Sequence, residues 1–176
     1  MMYIDGMIDK DIIEIGDSGI GICSRDRIVH LLQSVQKPCF HVVSIRTPDD
    51  GIHPVDGMVD KALSVLPLEF DDVISTDLPL PPTHEHILEL IDWSRDKDPI
   101  IIHCEAGVSR SSACAVAIAA SRMSIPLAIE KVLNPWLHWP NELVIKHAAE
   151  ILWCPQLESA MEDWRKLNLR NSAMFL

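Results

Sequence analysis

Ile100-Ile101-Ile102-His103-Cys104-Glu105-Ala106-Gly107-Val108-Ser109-Arg110-Ser111-Ser112-Ala113 is the stretch whose reading decides the fold. Three successive isoleucines are β-branched and apolar, the pattern of a short strand buried on both faces. Ser112 to Ala120 is small and apolar, like a tightly packed helix. The loop between them joins the carboxyl end of a strand to the amino end of a helix. Backbone N–H groups at such a junction lack intrahelical partners, and the aligned peptide dipoles add partial positive charge, so the place attracts anions. If Glu105, Ala106, Gly107, Val108 and Ser109 curl into a ring of inward N–H groups, Gly107 supplies a turn that a Cβ would obstruct. Arg110 then adds a planar, two-pronged donor. The loop reads as a phosphate-binding cradle with Cys104, a sulfur nucleophile, at its floor.

Outward from this stretch, strands and helices alternate. Gly19 to Cys23 and Phe40 to Ile45 read as strands, and Ser24 or Asp26 caps a helix between them whose Ile28, Leu31, Leu32 and Val35 keep helical spacing. Arg46 to Gly51 reads as a turn. Leu66-Pro67-Leu68-Glu69-Phe70 alternates as a strand does, and a turn-rich loop follows through Pro82. Thr83 with Glu85 and His86 opens a helix that closes at Lys97-Asp98-Pro99. Beyond the cradle, helices are expected over Ser111 to Met123, Pro126 to Val132, Pro140 to Trp153 and Gln156 to Leu167. The class is α/β: a mostly parallel central sheet flanked by helices on both faces, with the ligand crevice at the carboxyl ends of the strands.

At 176 residues, 48% apolar and 23% charged, the chain is read as a single domain over residues 1–176. A formal charge of −11 disfavours nucleic acid and anionic membrane surfaces as partners. Asp5, Asp9, Asp11 and Glu14 lie among the apolar N-terminal residues, and no apolar run approaches membrane-spanning length, which predicts a cytoplasmic protein. Five cysteines without paired spacing fit a reducing compartment, and Cys23, Cys39, Cys114 and Cys154 read as small buried hydrophobes. Asp5-Gly6-Met7-Ile8-Asp9-Lys10 nearly repeats as Asp56-Gly57-Met58-Val59-Asp60-Lys61, an echo too short for a repeat architecture.

His103-Cys104, five residues, Arg110 and Ser111 resemble the signature loop of the cysteine-dependent protein tyrosine phosphatases, and Ala106 to Ser111 resembles their dual-specificity branch. The resemblance runs from about Phe40 to Trp153. It implies a phosphatase-type three-layer fold without metal or cofactor. It also implies hydrolysis of phosphate monoesters, on phosphotyrosine or phosphoserine/threonine proteins, through a phosphocysteine intermediate. In that reading Cys104 is the nucleophile, Arg110 and the N–H groups of Glu105, Ala106, Gly107, Val108 and Ser109 hold the phosphoryl oxygens, Ser111 donates to the sulfur, and His103 orients the loop from behind. The general acid is an Asp on an earlier loop, where Asp71, Asp72 and Asp77 compete. Alternation continued from Leu66, Leu68 and Phe70 turns Asp72 inward, and spacing also favours it.

Pro140-Asn141 resembles a pair that supports the signature loop by hydrogen bonding, although a plain helix start with Pro at its first position reads equally well. Arg46, on a loop the resemblance places near substrate, is either a contact or a solvated surface residue. The partner is a phosphorylated protein or a small phosphate ester. A non-catalytic phosphate-binding module would keep the cradle while losing the Cys, the Arg or the acid, and none is missing. A sulfur-transfer or arsenate-reducing enzyme would want partner thiols beside Cys104, whereas Cys114 lies well along the next helix. A zinc site from His84, His86, His103 and Cys104 is disfavoured because side chains two apart at a helix start point away from each other.

Overall fold

The computed structural model describes residues 15–48, 51 and 53–173. In chain order its elements are β1 (Ile20–Ser24), α1 (Arg25–Ser34), β2 (His41–Arg46), a 3₁₀ segment (Pro54–Lys61), β3 (Ser64–Glu69), α2 (His84–Ser94), β4 (Ile100–Cys104), α3 (Arg110–Ala120), α4 (Ile125–Val132), α5 (Glu142–Ile151) and α6 (Gln156–Ala173). The strands form one all-parallel sheet in the order β1-β4-β2-β3. The α/β class with helices on both faces, expected from the alternation of elements, is the architecture found.

β4 lies between β1 and β2 and is buried along its whole length, which is why it reads as an unbroken apolar run. Its side chains alternate between two cores. Ile100, Ile102 and Cys104 face the larger one, built with α2 to α6, while Ile101 joins the smaller one under α1 and the 3₁₀ segment. Cys104 therefore ends β4 toward α3, and His103 points to the opposite side. α3 is buried on all faces, since Ala113, Ala115, Ala117 and Ala119 let neighbouring elements approach closely. Ser24 caps α1, Thr83 caps α2 with a reciprocal bond from His86, and Asn141 caps α5.

Several expectations are corrected. The Pro54–Lys61 segment was not anticipated: a proline at its start and a kink at Met58 break any helical period. Asp56 to Lys61 of the six-residue echo lies in this segment, and Asp5 to Lys10 lies outside the described residues. Asp49 and Asp50 of the anticipated turn also lie outside them. Pro140 is not the first residue of α5 but precedes its cap, Asn141. Cys23 and Cys114 are buried as expected, whereas Cys39 and Cys154 are half-exposed. Among the described residues no helix is long and apolar enough to cross a membrane.

Candidate active site

All four strand ends converge on the loop after β4. Three of its five carbonyl groups are engaged by neighbouring backbone: Arg25 N–H donates to Glu105 O (3.1 Å), Trp139 N–H to Val108 O (2.9 Å) and Asn141 N–H to Ser109 O (3.3 Å). The backbone N–H groups of Glu105 to Ser109 have no acceptor among the described residues. Gly107 has φ +75°, and a Cβ there would stand 2.6 Å from the carbonyl carbon of Cys23, so the loop presses directly on the β1–α1 junction. These unbonded amides lie at the amino end of α3. Ser109 makes no side-chain cap to α3, which leaves the first N–H groups of that helix unblocked.

Arg110, 5% exposed, is anchored by one nitrogen only. Its Nη1 donates to Phe70 O (3.0 Å), after β3, and to Thr47 Oγ1 (3.2 Å), after β2. Its Nε is buried and has no partner among the described residues. A guanidinium gripped at one corner keeps its other edge for a two-pronged contact with an oxyanion. Cys104 is buried at the loop's floor, and its Sγ lies 3.2 Å from Ser111 Oγ, a hydroxyl that can donate to it. Two other thiols are near enough to sense its charge. Burial pushes both Cys23 and Cys114 up, the proximity of Cys104 adding to the effect, so neither competes as a nucleophile.

Asp72 reaches the cradle from the loop after β3. Its Oδ1 accepts from Ser109 Oγ (2.7 Å) and Asn141 Nδ2 (2.8 Å), while Oδ2 has no bond to the described residues. The route differs from the one anticipated. β3 ends at Glu69 and its alternation stops at Phe70, so Asp72 is exposed rather than inward, and Asp71 is the half-buried one. Among the described residues Asp71 and Asp77 form no hydrogen bond or ion pair with the cradle. Asn141 Oδ1 accepts from the N–H groups of Leu143 and Val144 to cap α5, its Nδ2 donates to Asp72 and to Val73 O, and its backbone N–H donates to Ser109 O.

His103 lies behind the cradle, its ring 5.3 Å from that of His53. Burial and the nearby His53 push it down to about 3, so it is neutral across the physiological range. Glu105 contributes its backbone to the ring, while its side chain is tied to Arg25 (2.6 Å). Arg46 is not a freely solvated residue: its side chain is largely buried and grips Asp56 with two nitrogens (2.5 and 3.0 Å). Arg25, Thr47 and His53 were missed by the sequence reading. Thr47 was the nearest to being found, since it adjoins Arg46 on a loop already placed by resemblance. His86 accepts from Thr83 N–H in the α2 cap and His84 faces His147, so the two histidines have separate surroundings.

The parallel sheet carries this loop at its carboxyl edge, with Cys104 buried at the loop's start. The protein-tyrosine phosphatase family model matches residues 76–134, a span that contains Cys104 and Arg110 and begins just after Asp72. Among solved structures, Cydia pomonella PTP-2 phosphatase is similar at 17% identity and a TM-score of 0.54, over 78% of this chain and 88% of that one. Human DUSP28 is similar at 15% identity and 0.53, over 85% and 94%. The human tyrosine phosphatase-like serine/threonine/tyrosine-interacting protein is similar at 18% and 0.51, over 79% and 93%. These likenesses establish the fold. No curated protein matches by sequence.

Proposed function

We propose that the protein is a phosphatase that hydrolyses phosphate monoesters on phosphotyrosine or phosphoserine/threonine residues through a phosphocysteine formed on Cys104. The observation that carries this reading is the cradle itself. The backbone amides from Glu105 to Ser109 and the Nε of Arg110, all in the stretch that follows Cys104, have no acceptor among the described residues.

In the first step Cys104 Sγ, as thiolate, attacks phosphorus. The bond from phosphorus to the ester oxygen breaks as that oxygen takes a proton from Asp72. Charge spreading over the three equatorial oxygens meets the loop amides and Arg110, donors that need no reorganisation because their carbonyl sides are already tied down. In the second step water attacks the phosphocysteine, giving its proton to the Asp72 carboxylate, and inorganic phosphate leaves as the thiolate reforms. Ser111 donates to the sulfur when it departs. Neutral His103 and Asn141 hold the two ends of the loop in place.

The test is turnover of aryl phosphate and of phosphopeptides by the purified chain and by Arg110→Lys. The variant should lose at least about 10²-fold in kcat/KM, since a point charge cannot copy a two-pronged clamp. A loss below tenfold removes Arg110 from the clamp.

A further inference from the structure

Some of the large apolar side chains left exposed among the described residues lie on three segments bonded to one another around the cradle. Ile74, Leu78 and Leu80 lie on the loop that carries Asp72, Val108 on the cradle, and Trp136 and Trp139 on the connection from α4 to α5. These three segments are bound to one another. Trp139 N–H donates to Val108 O, Asn141 Nδ2 donates to Val73 O beside Ile74, and Asp71 N–H donates to Leu80 O (2.8 Å). Scattered exposed apolar residues need no explanation, but a group on tethered loops around one opening marks a contact surface. Trp136 and Ile74 are each 65% exposed. Tryptophan is also the side chain that most often dominates binding energy when a partner covers it.

Charge narrows the partner. Asp72 stands against the cradle through Ser109, and the chain as a whole bears −11. A second anionic group beside the phosphate would meet repulsion there, whereas an apolar flank would meet the rim. We infer that the site selects a phosphorylated residue within a protein segment whose neighbouring side chains are large and apolar, and that Ile74, Trp136 and Trp139 set this preference. The inference rests on the phosphatase reading above and narrows it to a substrate class.

The experiment compares two phosphotyrosine peptides that differ only at the positions flanking the phosphotyrosine, Leu and Phe in one and Glu in the other. kcat/KM for each is normalised to nitrophenyl phosphate. The unmodified chain should favour the apolar peptide about tenfold, the worth of one covered large side chain. Trp136→Ser and Ile74→Ser should each reduce that ratio to about threefold or less. Trp153→Ser, whose side chain lines a separate groove with His84 and Glu158, should leave the ratio unchanged. Equal rates on the two peptides, or a preference that survives both rim substitutions, would overturn the inference. Failure of the phosphatase reading is seen separately, as absent turnover of nitrophenyl phosphate. In that event the affinities of the two peptides for the Cys104→Ser chain decide, with the same ratio expected and equal affinities contradicting it.

Discussion

Two loops at the same edge of the sheet are built on opposite plans. The cradle from Glu105 to Arg110 is fixed from four directions: α1 through Arg25, the loop before α5 through Trp139 and Asn141, β3 through Phe70 O, and the β1–α1 backbone against Gly107. The Asp72 loop is largely exposed and is held at few points, chiefly by Asn141 and by the bond from Asp71 to Leu80. The difference matches the work each does. Donors that stabilise transition-state charge lose their value if they must rearrange, so their surroundings over-determine them. A proton donor has to meet leaving oxygens of different size and tolerates a looser mount. In this reading the cradle acts alike on every phosphate ester, and the Asp72 loop discriminates among leaving groups.

Asp72→Asn tests that division with the largest effect. General-acid loss typically costs about 10²–10⁴ in rate. It should do so on phosphopeptides, whose leaving oxygens are basic, while nitrophenyl phosphate falls far less. Equal losses on both substrates would place Asp72 with the cradle. Gly107→Ala should act in the opposite manner. Its Cβ meets the Cys23 backbone, so the amides shift and both substrates lose about 10²-fold or more. Near-native rates would mean the loop is less rigid than its contacts imply. Asn141→Ala, which removes the hold on Asp72 and Val73 O while keeping the backbone bond to Ser109 O, should cost about tenfold on phosphopeptides and less on nitrophenyl phosphate. Steady-state kinetics on the two substrates reads all three.

The smallest effect concerns stability. His103 has a folded pKa near 3 against 6.5 for the free side chain, so below pH 6.5 the unfolded chain binds the extra proton. Stability should therefore fall as pH drops from 6.5 toward 3, by at most about 1.4 kcal/mol per pH unit from this group. Urea unfolding at pH 7 and pH 5 should show the drop, and His103→Asn should lessen it. An unchanged slope in the variant would mean that His103 is not held neutral.

Most of the cradle was legible because its requirements are local. A strand, a helix, Gly107 and the interval from Cys104 to Arg110 sit within one stretch, and short-range geometry brings them together. What escaped was set by distant chain: the grip of Thr47 and Phe70 O on Arg110, the pairing of Arg46 with Asp56, and the stacking of His53 on His103. Asp72 marks the boundary between the two. Strand parity named it for a reason that fails beyond Phe70, yet the residue stands against the cradle because Ser109 and Asn141 hold it there.

The central claim is that Cys104 carries the phosphoryl group between two half-reactions. Acid quenching during turnover of nitrophenyl phosphate, followed by digestion and mass spectrometry, tests it most directly. The account predicts a phosphoryl group on the peptide containing Cys104, accumulating further in Asp72→Asn because water attack is slowed, and none in Cys104→Ser. Turnover with no label on that peptide, or with the label on another residue, would contradict it.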